Sequence, residues 1–354
     1  MVTTRGGMAA GAAVLLAGSL LGAPTAGAAP APEPTTVAKK LVSPLSMVVA
    51  GDGTAYVSQN FAGLLTAVAP DGTAKVVFAA PKKGTEVGAV SESGGVVRFA
   101  TTKGKKAVLW WMRPGGKPMM QADLGAYEAK KNPDAAQAYG FTDLDATCLA
   151  QIPKEVPGAY TGIVESHPYG SAVRQGTTYV ADAAGNSILG VDAKGKVSTV
   201  AVLPPVPVVI TAEAAAANKL PACAVGHTYN FEPVPTDVEV GKGGWLYVSL
   251  LPGGPEDGST GANGMVVKVK AKTGKVRTVA TGFAAATGVA VADNGDIYVA
   301  QLFGGMVSRI TYGSDKVKPY AMVKMPAAVE WADGRLLVSA NVLSQKPKGM
   351  VLQY

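Results

Sequence analysis

Six segments of the sequence repeat one pattern, and this repeat restricts the possible folds more than any other feature. Each segment has an apolar alternating strand, a turn rich in Gly, and a second strand of aromatic, Val and small residues. The turns carry the residue types that a β-hairpin needs at positive φ. The segments are SPLSMVVAGDGTAYVSQ (43–59), TEVGAVSESGGVVRFAT (85–101), HPYGSAVRQGTTYVADA (167–183), PTDVEVGKGGWLYVSLL (235–251), ATGVAVADNGDIYVAQL (286–302) and PAAVEWADGRLLVSANV (326–342).

A third strand follows each hairpin, as in SILGVDA, MVVKVKA and MVSRITY, and a fourth follows in most units. The shortest repeat is about forty residues, which with four strands is typical of a β-propeller blade. We therefore predict an all-β chain folded as a six-bladed β-propeller. Six copies of one unit argue against a flat sandwich. Strands without regular intervening helices argue against an α/β fold.

Two long intervals between units are interpreted as insertions, from Gln121 to Val164 and from Pro204 to Pro233. Each contains a predicted short helix, in LGAYEAKKNPDAAQAYG and in TAEAAAANKL, so both insertions are expected to be partly helical. The last unit has three strands and ends at Tyr354. Residues Thr36 to Leu41 are expected to supply its fourth strand, since closure removes an exposed sheet edge.

The N-terminus has the pattern of an export signal. Arg5 precedes an apolar run from Met8 to Leu21, and small residues lead to Ala28. This order predicts a signal peptide over 1–28, a flexible lead-in over 29–35 and one propeller domain over 36–354. The apolar run is shorter than the ~20 residues that span a bilayer. We expect a secreted, extracellular monomer without a transmembrane segment.

The charge distribution bears on the class of partner. The formal net charge is +7, yet the Lys residues lie in scattered pairs. No basic stripe with interleaved aromatic residues is present, which argues against nucleic-acid binding. The expected partner is a small molecule or an extracellular or cell-envelope protein.

The two cysteines lie one in each insertion, Cys148 in the first and Cys223 in the second. In an exported chain an even number of cysteines favours a disulfide, which would join the two insertions beside the third unit. The alternative is a pair of buried thiols. Their spacing fits neither a CxxC redox motif nor a four-ligand zinc site.

Residues at or near the start of the first strands should surround one mouth of the propeller channel. The candidates for ligand binding there are Glu86, His167, Tyr169, Asp237 and Glu330. Three of them, Glu86, His167 and Asp237, are also candidate ligands of a divalent cation, since calcium prefers oxygen and zinc accepts His. Asp182 belongs to a second set, which follows the second strands and comprises Gln59, Asn60, Asp182, Asn186, Gln301 and Asn341.

Each candidate also has a structural interpretation. Pro168 holds His167 extended, so the histidine could be a hydrogen-bonded structural residue. Asp237 and Glu86 could accept backbone N–H groups, and Glu330 could face a neighbouring blade. Tyr169 could be a wall residue. The other histidine, His227, has no evident partner. The sequence has neither the GxSxG nor the HExxH motif of hydrolases.

The hairpin GVAVADNGDIYVA (288–300) resembles the repeats of NHL-type six-bladed propellers. Three longer runs are similar to the ScyD/ScyE family of exported bacterial propellers. They include HPYGSAV with TYVADAAGNSIL, FEPVPTDVEV with LYVSLLPGGPEDGSTGANG, and ATGVAVADNGDIYVAQLFGGMVSRI. The resemblance extends over nearly all of the chain after the predicted signal peptide. It implies the propeller fold and export, and it brings no defined catalytic residues.

Two functions are compatible with these features. The first is a secreted module that binds a ligand or a protein through its loop-bearing face and channel mouth, without catalysis. The second is a metal-dependent lactonase-like or esterase-like hydrolase with a divalent ion in the channel.

Overall fold

The computed structural model describes residues 33–354. The predicted signal peptide, residues 1–28, and most of the predicted lead-in lie outside the described residues. The first strand, β1, spans Thr35–Leu41.

Six four-stranded antiparallel sheets repeat one meander, in which consecutive strands pair in chain order. The first two are blade 1, with β2 Met47–Val49, β3 Ala55–Gln59, β4 Leu64–Val68 and β5 Ala74–Ala79, and blade 2, with β6 Glu86–Ser93, β7 Val96–Lys103, β8 Lys106–Met112 and β9 Met119–Asp123. An insertion follows, with α1 Leu124–Lys131, β10 Ala138–Phe141, α2 Ala146–Leu149 and β11 Ala159–Thr161.

Blade 3 has β12 Pro168–Arg174, β13 Thr177–Asp182, β14 Ser187–Val191 and β15 Val197–Val202. The second insertion has β16 Val206–Val209, α3 Ala212–Ala217 and β17 Thr228–Phe231. The chain continues with blade 4, β18 Pro235–Val240, β19 Trp245–Leu250, β20 Gly264–Lys270 and β21 Val276–Phe283, and blade 5, β22 Ala286–Val291, β23 Ile297–Gln301, β24 Met306–Ile310 and β25 Val317–Met322. It ends with β26 Val329–Ala332, β27 Arg335–Ala340 and β28 Gly349–Gln353 of blade 6.

The innermost strands form a closed ring, in which β2, β6, β12, β18, β22 and β26 each contact the next and β26 contacts β2. Strand β1 completes blade 6 by pairing antiparallel with β28, with Thr36 opposite Leu352 and Leu41 opposite Gly349. Both the six-bladed propeller and the N-terminal closing strand are therefore confirmed.

Apolar side chains from facing sheets form the core between neighbouring blades. Between blades 3 and 4, for example, Ala181 and Ile188 pack with Leu246 and Val248, and all four are essentially inaccessible to solvent. The alternation of apolar residues that predicted the strands thus reflects burial between sheets.

Glycines allow the inner strands to approach each other backbone to backbone. A Cβ at Gly170 of blade 3 would lie 2.6 Å from Cα of Asp237 in blade 4. A Cβ at Gly288 of blade 5 would collide with the Ala327 carbonyl oxygen of blade 6. Neighbouring inner strands lie close together at these two positions because glycine has no side chain.

The two insertions form a seventh sheet, the auxiliary sheet, in the order β11-β10-β17-β16. The predicted helices are present as α1 and α3, but the sheet was not predicted. Its central pairing joins β10 to β17, with Gly140 opposite Asn230. The strands are short and their partners are distant in sequence, so no local hairpin pattern marks them.

The predicted disulfide between Cys148 and Cys223 is confirmed, with a Cα–Cα distance of 6.0 Å. Cys148 lies in α2 of the first insertion, and Cys223 lies in a 3₁₀ turn of the second, Ala222–Ala224. The bond therefore joins the two halves of the auxiliary sheet.

Replacing both cysteines, Cys148→Ala with Cys223→Ala, is expected to destabilise the protein by on the order of 3 kcal/mol, because the crosslink closes a long loop. Hydrogen exchange followed by mass spectrometry should accelerate more in β10 and β17 than in β22 to β25, which serve as the internal control. Unchanged exchange in β10 and β17 would show that the crosslink does not hold the auxiliary sheet.

Candidate functional site at the channel mouth

Equivalent positions of five blades build a cavity at one end of the channel. The floor is formed near the start of the inner strands by Leu45, Tyr169, Thr236, Thr287 and Ala327. The walls come mainly from the loops after the second strands, with Phe61, Leu251, Leu302, Phe303 and Leu343. We call this space, of about 90 Å³, the mouth cavity. Its lining is mainly apolar, as in most small-molecule sites.

The mouth cavity adjoins a larger groove lined mainly by the loop 251–264. The groove has a volume of about 540 Å³ and shares Val234, Leu251, Glu256 and Phe303 with the mouth cavity. Within the loop, Asp257 accepts a hydrogen bond from the Ser259 backbone N–H at 2.9 Å, so it stabilises the turn. Glu256 places an acidic side chain where the two spaces meet.

His167 and Glu86 form a polar pair beside the mouth cavity. His167 Nε2 lies 3.1 Å from Glu86 Oε2, and the two side chains are 26% and 31% exposed. The His167 ring packs against the Tyr169 ring, with centroids 4.9 Å apart. Burial raises the pKa of Tyr169, and the negative charge of Glu86 adds to the shift, so this phenol stays protonated. The structure thus brings three predicted site residues together.

Asp182 lies beneath this group and is fully buried. Its carboxylate accepts hydrogen bonds from the His167 backbone N–H and from Ser166 Oγ, both at 2.6 Å. Burial raises its pKa, and these hydrogen bonds oppose the shift. Asp182 therefore fixes the loop that carries His167, and its side chain does not line the cavity.

The same structural role recurs at equivalent positions in two other blades. Gln59 Oε1 accepts from the Val42 N–H at 2.7 Å, and Gln301 Oε1 accepts from the Ala284 N–H at 2.8 Å. Each glutamine holds the loop that leads into its own blade. The polar residues after the second strands thus include anchors for the preceding loops.

Asp237 lies on the inner strand of blade 4, apart from the His167–Glu86 pair. Its Oδ1 accepts from the Val238 N–H at 2.9 Å, and its Oδ2 accepts from the Val289 N–H of blade 5 at 3.0 Å. Ser46 Oγ makes the corresponding bond from blade 1 to the Val90 N–H of blade 2, at 3.0 Å. Asp237 thus links adjacent blades, although burial raises its pKa to about 7.

Two further carboxyl groups accompany Asp237 in the channel, Glu239 on the same strand and Glu330 on blade 6. Burial raises the pKa of both, and each is raised further by the negative charges of its acidic neighbours. Glu330 was a predicted site residue, whereas Glu239 was missed. The spacing of Asp237 and Glu239, two residues apart on a strand, was the signal for a shared face.

The proposed cation ligands Glu86, His167 and Asp237 do not form one donor set. Across residues 33–354, no group of three or more His, Cys, Asp or Glu side chains is arranged to hold a metal ion. Asp237 is engaged by two backbone N–H groups, while Glu86 faces His167. The residues present do not fit a channel metal held by this trio.

The second histidine has a partner that the sequence did not indicate. His227 Nδ1 lies 3.4 Å from Asp143 Oδ1, and both side chains are exposed. This pair links the two insertions at the surface, away from the mouth cavity. Within the described part of the chain, no helix is long and apolar enough to cross a membrane.

No protein-family model matches the chain. No curated protein matches it in sequence. Solved structures with a similar fold do exist. A streptogramin B lyase structure is 14% identical, with a TM-score of 0.52, and the match covers 91% of this chain and 96% of that one.

Two other solved structures show the same likeness. Regucalcin from Agrobacterium tumefaciens str. C58, described as a calcium-binding protein, is 16% identical with a TM-score of 0.51, covering 89% of this chain and 90% of that one. A putative oxidoreductase (glucose dehydrogenase) from Thermus thermophilus is 15% identical with a TM-score of 0.55, covering 91% and 99%. At these identities the likeness shows the propeller fold, and the different activities named show that the fold does not determine function.

The channel carboxyl groups predict how stability depends on pH. The pKa values of Asp237, Glu239 and Glu330 are higher in the folded protein than in an unfolded chain, where they are near 4. The folded state then binds more protons, so the free energy of unfolding should fall as pH rises from about 4 towards 8. Urea unfolding at several pH values measures this.

The Glu239→Gln variant should flatten this dependence and be more stable than the parent protein at pH 8 by about 1 kcal/mol. Asp315→Asn, a change at an exposed carboxylate, is the matched control and should leave the profile unchanged. A profile in Glu239→Gln identical to the parent profile would contradict a shared channel cluster.

Proposed function

We propose that this chain is a secreted binding module of the ScyD/ScyE type that takes a small amphipathic molecule in the mouth cavity. The observation that carries the proposal is the cavity itself, a concave apolar space beside the polar His167–Glu86 pair. Cavities with apolar walls and a few placed polar groups are typical of ligand sites. The family resemblance and the N-terminal pattern support export.

The chemistry of the lining defines the class of ligand. Phe61 and Phe303 are 37% and 43% exposed, so their rings offer apolar surface to an incoming molecule. Glu86 and Glu256 add acceptor oxygens at the edges. An apolar body with a hydroxyl or amine at one end would fill the cavity and donate hydrogen bonds to these carboxylates.

The concave shape favours a small molecule over a protein partner for this site. Protein interfaces of standard size bury about 800 Å² on each side. The wall of a cavity of about 90 Å³ has a much smaller area. The catalytic alternative has less support, because the predicted metal ligands are not arranged together. The loop-bearing face remains the surface from which ligand would enter.

Titration with N-phenyl-1-naphthylamine tests the site. This fluorescent probe of apolar sites carries one amine N–H and is large enough to extend from the mouth cavity into the adjoining groove. One probe should bind per chain. Phe303→Ala should weaken binding roughly fivefold, since it removes about 1 kcal/mol of apolar contact. Tyr312→Ala is the control, because Tyr312 is an exposed aromatic residue outside the cavity.

Equal affinity of the parent protein and Phe303→Ala would place the probe elsewhere and contradict the proposed site. Hydrolysis of a panel of lactones and esters is the complementary measurement, and no turnover is expected. Clear turnover that is lost in Glu86→Gln, a change at a partly exposed carboxylate, would instead support the hydrolase alternative.

A further inference from the structure

A second cluster of oxygen atoms lies away from the mouth cavity, where α1 packs against blade 3. Glu128 on α1 is only 1% exposed. Neither of its carboxylate oxygens has a hydrogen-bond partner among the described residues. A Cβ on Gly185 of blade 3 would lie 3.2 Å from Glu128 Oε2 and 3.3 Å from Cγ of Asp182. The absence of a side chain at Gly185 therefore leaves room for this carboxylate.

The connection from α1 to β10 brings two more acceptor oxygens to the same region. Asp134 is also 1% exposed; its Oδ2 accepts from Tyr139 Oη and Asn186 Nδ2, both at 3.0 Å, while its Oδ1 has no partner in the described chain. Asn132 donates through Nδ2 to the Gly162 carbonyl oxygen at 3.1 Å, and its Oδ1 is likewise buried and unpaired.

Four unpaired buried oxygens within one segment are costly for a folded protein. A buried carboxylate is normally paired, hydrogen-bonded or bound to a metal. Burial, together with the negative charges of Asp182 and Asp134, raises the pKa of Glu128 to about 8. Protonation of one Glu128 oxygen would still leave the other Glu128 oxygen, Oδ1 of Asn132 and Oδ1 of Asp134 without a partner among the described residues.

We propose that Glu128, Asn132 and Asp134 bind a calcium ion between α1 and blade 3. The donors are both carboxylate oxygens of Glu128, Oδ1 of Asn132 and Oδ1 of Asp134. Calcium takes six to eight oxygens in flexible geometry, including carboxylates that bind through both oxygens and amide carbonyls. Backbone carbonyls or water complete such a shell.

The composition of this donor set distinguishes it from the channel carboxylates. It contains two carboxylates and one amide, so it is not a group of three acidic or histidine side chains, and no such group is arranged for a metal among residues 33–354. Asp182 already accepts from Ser166, His167 and Gly185. It therefore contributes negative charge from outside the shell. The absence of His and Cys disfavours zinc.

The position of the ion has a consequence for the mouth cavity. Asp182 holds the backbone of His167, and Glu128 faces Asp182 across Gly185. An ion bound to Glu128 offsets the repulsion between these carboxylates and thereby fixes the loop that carries His167. This inference does not rest on the small-molecule site, since its evidence lies outside the cavity.

The test uses the full protein, freed of divalent ions by chelation and then titrated with CaCl₂ or MgCl₂. Calcium should bind at one ion per chain by elemental analysis and raise the melting temperature by roughly 5 °C, with magnesium less effective. Glu128→Gln should reduce calcium affinity at least about tenfold, while Glu155→Gln, an exposed acid in the same insertion, should not change it.

A second variant guards against a folding defect in Glu128→Gln. Asn132 has φ +37°, so Asn132→Gly preserves the backbone at the end of α1 while removing Oδ1. It should also weaken calcium binding. The proposal is overturned if the chelated protein shows no calcium response, if it prefers magnesium, or if Glu128→Gln or Asn132→Gly responds like the parent protein.

Discussion

The contact ring of the six inner strands is the constraint on which the rest of the structure depends. Each inner strand contacts the next and β26 contacts β2, while β1 pairs with β28 and so ties blade 6 to the chain that enters blade 1. Closure packs every blade against two neighbouring blades and brings the starts of all inner strands to one mouth of the channel. Side chains from five blades can then line one cavity, although they are distant in sequence.

The same ring explains the role of the polar residues that are distributed around it. Ser46 and Asp237 accept backbone N–H groups of the following blade, while Asp182, Gln59 and Gln301 hold the loops that enter their own blades. A buried backbone donor needs an acceptor, and these side chains supply it. Most of these polar side chains therefore hold backbone groups in place. The His167–Glu86 pair differs from them because it remains partly exposed.

The repeat predicted the blades and the closing strand because alternation and turn chemistry are local signals. The auxiliary sheet could not be predicted in this way, since Gly140 pairs with Asn230 and nothing nearby marks either strand. Site residues could likewise be predicted only where a local repeat pattern marked them. Glu86, His167 and Tyr169 were found from their place in the repeat. Glu239 was passed over within an ordinary strand, and Glu128 within a helix, because only the tertiary fold buries them.

Pairing β1 with β28 also has a consequence for how the chain reaches its final form. During synthesis the strand that emerges first must wait for the strand made last, because no other part of the described chain completes blade 6. Five blades can assemble from neighbouring segments as they appear, yet the circle is sealed only at the end. The final step joins residues separated by nearly the whole length of the domain, so its loop-closure entropy exceeds that of any hairpin within a blade.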